Sequence, residues 1–206
     1  MRNSLAALAL LAAPLAAQSM PPSVDAPLRS FGVAVVIDGG ELYIGRSARV
    51  VGYPYPMPPS EAGAVFHYRK TADGTWTQAG EIHAEDATVG DTFGRSVAVQ
   101  GNWMAVGAPF QGTGGVVYLF ERRNGEWRQS ARLAVTGTTD STGLGTSVAL
   151  DNGQLLVGAP GRNGTAGAVY ASRNEGGRWS PLEPVASVIR GVSGSRAQPW
   201  VTRTRP

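Results

Sequence analysis

The feature that most restricts the fold of this chain is an internal repeat with a spacing of 51 or 52 residues. The segment Phe93–Val99 (Phe-Gly-Arg-Ser-Val-Ala-Val) is similar to Leu144–Leu150 (Leu-Gly-Thr-Ser-Val-Ala-Leu), which lies 51 residues later. A Val-Gly-Ala-Pro segment ends at Pro109 and again at Pro160, and a partial earlier copy begins at Phe31. Self-similarity at such a period indicates one supersecondary unit repeated along the chain, with neighbouring units stacked on each other.

Each copy contains four short segments with the composition of β-strands and no helical run. In the second copy they follow Phe93, and turn-forming pairs such as Asn124-Gly125 and Asn152-Gly153 separate strands within the repeats. Four strands in about 50 residues are the unit of a β-propeller blade. The sequence therefore predicts an all-β fold of β-propeller type, with three four-stranded antiparallel blades. Because closed propellers use about 4 to 8 blades, we expect an open arc, that is, a partial propeller.

The order Phe-Gly, Ser-Val-Ala, Val-Gly-Ala-Pro and Gly-x-Val-Tyr resembles the FG-GAP repeat, the blade unit of integrin α-subunit propellers and of many bacterial exported proteins. The resemblance extends from about Phe31 to Val185, and it departs from the pattern at Gly45-Arg46-Ser47 and at Leu144. We expect the motif residues to have a structural role in packing between blades. They are Phe31, Gly32, Phe93, Gly94, Gly107, Ala108, Pro109, Leu144, Gly145, Gly158, Ala159 and Pro160.

The resemblance also raises the question of calcium, because integrin blades often carry an Asp-x-Asp-x-Asp-Gly loop after the Gly-Ala-Pro strand. A calcium site needs several hard oxygen ligands on one short loop. The corresponding segments here, Phe110–Gly114 and Gly161–Ala166, contain no Asp or Glu. We therefore predict no calcium site and no cofactor.

The two ends of the chain differ from the repeats. Residues 1–18 have the charged start, apolar middle and small-residue end of a Sec-type bacterial signal peptide, and residues 19–30 form a Pro-rich linker. We assign three blades at about 31–83, 93–134 and 144–185, followed by a basic tail at 186–206 that we expect to be disordered. The predicted location is therefore secreted, periplasmic or at the cell surface. The missing fourth repeat leaves open that the chain is a truncated or frame-shifted product.

Composition excludes several kinds of chemistry. The chain has no Cys, so a disulfide framework, a Cys-based zinc site and a thiol nucleophile are excluded, and it has only two His. Acid–base pairs could be drawn from Asp38 with His67 or from His83 with Glu85-Asp86, but no motif surrounds them. The positive net charge comes from the two ends, which does not indicate nucleic-acid binding, and no apolar stretch is long enough to span a membrane.

These observations predict an exported, non-catalytic binding or adhesion module rather than an enzyme. The alternative is an accessory propeller domain of an extracellular enzyme, because similar propellers are attached to lyases and phospholipases. The first copy carries about ten extra residues, and their Tyr53, Tyr55 and Met57 are the candidate contacts for a protein or carbohydrate ligand. The open blade edges also predict self-association.

Overall fold

The computed structural model describes residues 30–47, 62–136, 142–161 and 166–187. Within these ranges the chain forms β-strands and turns and no helix. No described helix is therefore long and apolar enough to cross a membrane. The candidate contact residues Tyr53, Tyr55 and Met57, the signal peptide, the linker through residue 29 and the tail beyond Ser187 lie outside the described residues.

The strands form three separate antiparallel sheets that follow one another along the chain. Sheet 1 contains β1 (Phe31–Asp38), β2 (Glu41–Arg46), β3 (Ala64–Lys70) and β4 (Trp76–Ile82). Sheet 2 contains β5 (Ser96–Gln100), β6 (Trp103–Ala108), β7 (Val116–Arg123) and β8 (Glu126–Leu133). Sheet 3 contains β9 (Ser147–Asp151), β10 (Gln154–Ala159), β11 (Ala168–Glu175), β12 (Arg178–Trp179) and β13 (Glu183–Ser187).

Each sheet is an up-and-down meander in which consecutive strands are hydrogen-bonded, and this confirms the predicted fold class. The turns between the first two strands use residues that tolerate positive φ, as at Gly39 and Gly40 in sheet 1 and at Asn152 and Gly153 in sheet 3. Sheet 3 has five strands rather than the four expected, because its outer strand is divided. β12 pairs with the end of β11 and β13 pairs with its beginning. Pro181 lies in the interruption, where proline cannot donate a ladder hydrogen bond.

The sheets stack face against face, and the first strands β1, β5 and β9 lie next to one another. One apolar core lies between sheets 1 and 2 and includes Tyr43, Val65, Met104 and Phe120. A second core lies between sheets 2 and 3 and includes Val117, Leu119, Leu155 and Val157. Sheet 2 is thus buried on both faces, whereas sheets 1 and 3 each have one face against a described neighbour. The fold is an open arc of three blades.

The motif residues that start the second and third sheets, Phe93 and Leu144, lie at these stacking interfaces. Phe93 is fully buried, its ring lies edge-on to Tyr118 and Phe120, and its backbone bridges to Gly63 of sheet 1. Leu144 replaces it in the next repeat, is equally buried and bridges to Gly115. The Phe-Gly segment therefore fastens the start of each sheet to the preceding sheet.

Candidate functional site

The densest polar cluster in the described residues surrounds Glu41, which the sequence analysis did not single out. Arg122 of β7 donates two hydrogen bonds to its carboxylate, at 2.6 and 2.8 Å. Arg69 Nε donates at 2.9 Å and the Tyr43 hydroxyl at 2.7 Å. Since Arg122 belongs to sheet 2 and the other residues to sheet 1, this cluster ties the two sheets together.

The cluster perturbs the ionisation of its members. Burial acts to raise the pKa of Glu41, but the hydrogen bonds from Arg122, Tyr43 and Arg69 outweigh it and lower that pKa to about 2. Burial and the hydrogen bond to Glu41 raise the pKa of the Tyr43 phenol. The carboxylate of Glu41 is therefore ionised at neutral pH, and it is held by the side chains of Arg122 and Arg69.

His67 joins the same cluster. Its ring is buried, stacks on Tyr43 at 4.8 Å between ring centres, and places Nε2 3.3 Å from the Glu41 carboxylate. Burial lowers the pKa of the imidazole, although the nearby Glu41 charge opposes this effect. Only 5% of His67 is exposed among the described residues, so its imidazole packs within sheet 1 against Tyr43 and Glu41.

Of the acid–base pairs considered from the sequence, Asp38 and His67 have other partners, whereas His83 and Glu85 both line one open groove. Asp38 accepts a hydrogen bond from the Gly101 backbone at 3.2 Å, and the carboxylate beside His67 is Glu41 instead. His83 Nε2 lies 3.4 Å from Glu81, while Asp86 contacts Tyr118 at 2.5 Å and Arg132 at 3.1 Å. These groups hold turns and sheets in place.

The Asp86 contact belongs to a second polar cluster between the sheets. The Tyr118 hydroxyl is buried and contacts both Asp86 and the side chain of Gln111. Burial, together with the Asp86 hydrogen bond, raises the pKa of Tyr118 to about 12. Gln111 follows the Gly-Ala-Pro strand of sheet 2, so the cluster fixes the loop in which integrin blades place calcium. No group of three or more His, Cys, Asp or Glu side chains suited to a metal occurs in the described part of the chain.

An open groove lies between the outer strands β4 and β8, where sheets 1 and 2 meet at the rim. Ile82, Phe120 and Trp127 form its apolar lining. Its polar lining consists of Glu81, His83, Glu85, Arg128 and Gln129. Glu81, His83 and Glu85 are exposed, so their side chains are available to a ligand.

The groove lies next to Gly63, the residue at which the chain enters β3 after the first-copy insertion. His83 Nδ1 lies 3.3 Å from the Gly63 carbonyl oxygen, and Gly63 immediately precedes β3. The insertion that contains Tyr53, Tyr55 and Met57 therefore rejoins the described structure beside the groove. An aromatic lining with a few exposed charged groups is the usual composition of a contact surface.

Two tryptophans stand at equivalent repeat positions on the outer strands of sheets 2 and 3. Trp127 of β8 lies edge-on to Tyr43 of sheet 1, with ring centres 5.9 Å apart. Trp179 of β12 lies edge-on to Trp103 of sheet 2, at 5.3 Å. Each therefore extends from its own outer strand to the preceding sheet, and Trp127 forms part of the groove lining by doing so.

Comparison with known proteins identifies the repeat. A family model described as "FG-GAP repeat" matches residues 76–120, which run from β4 through the Phe-Gly and Gly-Ala-Pro segments to β7. No curated protein matches the chain. Among solved structures, a europium-containing methanol dehydrogenase is similar at 14% sequence identity and a TM-score of 0.46, over 73% of this chain and 24% of that one. The chain thus spans about a quarter of the length of that neighbour.

Proposed function

We propose that this FG-GAP repeat chain is an exported, non-catalytic binding module whose ligand contacts the groove between β4 and β8. The observation that carries the proposal is the groove itself, in which exposed Glu81 and Glu85 stand beside an apolar lining that includes Trp127. Loops and rims on a rigid β scaffold are common positions for binding residues.

The charge of the groove indicates the class of ligand. Glu81 and Glu85 contribute two carboxylates, of which Glu81 lies 3.4 Å from His83 Nε2. Arg128 is paired with Glu126 at 3.0 Å, outside the groove lining. The surface available to a ligand is therefore acidic beside an aromatic lining. We infer that the ligand is a protein segment with basic and apolar side chains, which would also contact Tyr53, Tyr55 and Met57. The assignment to an exported protein rests on the leader sequence of residues 1–18.

An array of short peptides, together with an array of glycans, tests this proposal. We expect the full chain to bind peptides that combine Lys or Arg with aromatic residues. The double variant Glu81→Gln/Glu85→Gln should bind them about tenfold or more weakly, because it removes the two exposed carboxylates. Glu175→Gln is the matched control, since Glu175 is exposed on β11 of sheet 3 and does not line the groove.

Equal binding by the double variant and the wild type would refute the groove as the contact site. Binding to glycans alone would refute the protein ligand and favour a carbohydrate. Thermal melts of all variants establish that they are folded, so that a loss of binding can be assigned to the groove.

A further inference from the structure

The contact between consecutive sheets occurs twice with the same backbone geometry. In sheet 1, a Cβ placed on Gly45 or Gly63 would overlap a carbonyl oxygen of the Phe93–Gly94 segment of sheet 2. In sheet 2, a Cβ on Gly107 or Gly115 would overlap a carbonyl oxygen of the Leu144–Gly145 segment of sheet 3. A pair of glycines on each sheet thus receives the turn that starts the following sheet.

Two hydrogen-bond positions reinforce this contact. Ser96 Oγ of sheet 2 donates to the Gly145 carbonyl of sheet 3 at 2.7 Å. The last residue of the first strand accepts from the next hairpin turn: Asp38 from Gly101 N at 3.2 Å, and Gln100 from Asn152 N at 2.7 Å. The repeated contact therefore has a receiving side and an inserting side.

Sheet 3 carries a receiving side against which no described residue of a following sheet lies. Its equivalent glycines are Gly158 and Gly167, and Cβ atoms placed on them would meet only atoms of sheet 3 and its own Gly-Ala-Pro segment. Ser147 and Asp151 occupy the positions of Ser96 and Gln100 and are both exposed. The surrounding apolar side chains are also open: Val169 is 37% exposed, whereas its equivalent Val117 is fully buried against sheet 3.

Sheet 1 carries the corresponding inserting side. Its Phe31–Gly32 turn has a positive φ at Gly32 of 86°, against 84° at Gly94 and 86° at Gly145. A Cβ placed on Gly32 would meet nothing within 4 Å, whereas Gly94 and Gly145 are pressed against the preceding sheet. On the same face, Val35 is 60% exposed although its equivalent Val97 is only 8% exposed.

We propose that these two sides bind each other between two copies of this chain, head to tail. The Phe31–Gly32 turn of one copy inserts against Gly158 and Gly167 of the other, and Ser147 donates to the Gly32 carbonyl. Asp151, whose Oδ1 already accepts from Gln100 Nε2 at 3.1 Å, accepts through Oδ2 from the backbone N–H groups of the Gly39-Gly40 turn. Two such contacts join two arcs of three sheets into a ring of six, which lies within the range of closed propellers.

The described structure favours a second copy as the occupant. The turns at Phe93 and Leu144 are already inserted against the preceding sheets, so the Phe31–Gly32 turn is the one described inserting turn that lies against no described sheet. The basic–aromatic pair on the inserting side is also reproduced. Lys70 lies over Trp76 at 5.8 Å, as Arg122 lies over Trp127 at 5.7 Å in the formed contact. The backbone elements of a formed contact and the basic–aromatic pair are therefore present, half on each free side, with Gln154 of sheet 3 at the position of Glu41.

Sedimentation velocity and light scattering of the full chain over a range of concentrations test this inference. We expect a monomer–dimer equilibrium for the wild type. Val35→Asp, on the inserting side, and Gly158→Ala, on the receiving side, should each raise the dimer Kd about a hundredfold or more, because each change occurs at both contacts of the ring. Val89→Asp is the matched control, since Val89 is 64% exposed and lies in the connection between sheets 1 and 2.

Mixing the two variants distinguishes head-to-tail binding from nonspecific self-association. Each variant keeps one intact side, so an equimolar mixture should form heterodimers through one good contact although each variant alone is monomeric. If Val35→Asp or Gly158→Ala melts far below the wild type, Ile37→Asp and Leu156→Asp serve instead. Ile37 is exposed on the inserting side and Leu156 is exposed on the receiving side.

A wild-type chain that stays monomeric at high concentration would overturn the inference, including the case in which the chain covers its own free faces. Dimers that persist in both single variants, or variants that do not complement each other on mixing, would also overturn it. A dimer weakened by Val35→Asp but unaffected by both Gly158→Ala and Leu156→Asp would indicate a symmetric contact and would refute the head-to-tail arrangement.

Discussion

Replacing Gly107 by alanine tests whether the Gly-Ala-Pro glycine exists for close packing between sheets. A Cβ at this position would overlap the Gly145 carbonyl oxygen and Ser96 Oγ, and would lie 2.9 Å from the Gly145 carbonyl carbon. Favourable carbon–carbon contacts lie at about 3.5 to 4.0 Å. The Ser96 hydroxyl can rotate away, but the Gly145 carbonyl belongs to the backbone of sheet 3 and can move only if the sheets separate.

The structure sets the expected size of the effect. Added atoms in a packed interior cost about 1 to 3 kcal/mol, and a backbone obstacle places this case at the upper end. Alanine restricts the unfolded chain and returns about 0.4 to 1 kcal/mol where φ is compatible. The free energy of unfolding should therefore fall by about 2 kcal/mol. For a chain of this size, that loss lowers the Tm by about 4 to 8 °C.

Differential scanning calorimetry of Gly107→Ala and Gly80→Ala measures this directly. Gly80 lies in β4, has ordinary extended backbone, and a Cβ there would meet nothing within 4 Å. Gly80→Ala should leave the Tm unchanged or slightly raised, because it restricts only the unfolded chain. Equal melting temperatures for the two variants would show that the sheets do not depend on the close approach at Gly107, and the packing argument would be wrong.

Three further predictions concern the polar groups. Glu41→Gln should lose about 2 kcal/mol at pH 7 in urea denaturation, whereas the exposed Glu126→Gln should lose almost nothing. The pKa of Glu41 is lowered from 4.5 to about 2, so the ionised carboxylate stabilises the fold fully above pH 4.5 and loses this effect as the pH falls toward 2. The difference in the free energy of unfolding between Glu41→Gln and the wild type should therefore disappear toward pH 2. Tyr118→Phe should cost about 1 kcal/mol in the same assay, because it leaves the buried Gln111 side chain without this partner. Millimolar calcium should leave the Tm unchanged, since the Phe110–Gly114 loop has no carboxylate, and a rise of several degrees would contradict this prediction.

The sheets could be predicted from the sequence because their determinants are local and repeated. Glycine and the Phe-Gly pair recur where one backbone must approach another closely. The same residue types therefore occupy equivalent positions in each repeat. Gly45, Gly107 and Gly158 fall at equivalent positions in β2, β6 and β10. Even the incomplete first copy could be aligned, although Gly45 is followed there by Arg46 and Ser47 rather than by Ala-Pro.

The Glu41 cluster could not be predicted, because its members share no motif and are far apart along the chain. Glu41 and Arg122 are 81 residues apart, and they meet only because the stacking of sheets 1 and 2 brings β2 beside β7. A weak signal was present in the repeat alignment, where Glu41 stands at the position of Trp103 and Gln154. The divided outer strand of sheet 3 had a clearer signal, since Pro181 lies in the interruption and Pro184 lies beside the irregularity in the pairing of β13 with β11.

The two formed contacts differ in their side chains, and this difference determines which sheet packs against which along the arc. The backbone part of each contact is the same, so glycine packing alone would allow any sheet to follow any other. The side chains at the rim differ: sheet 1 meets sheet 2 through Glu41 and Arg122, whereas sheet 2 meets sheet 3 through Trp103 and Trp179. Exchanging the partners would place the Glu41 carboxylate against Asn174, the residue equivalent to Arg122 in sheet 3. Glu41 would then lose one of its two arginine partners and keep only Arg69, which is unfavourable. Specificity of this kind depends on penalising the wrong neighbour as well as on stabilising the right one.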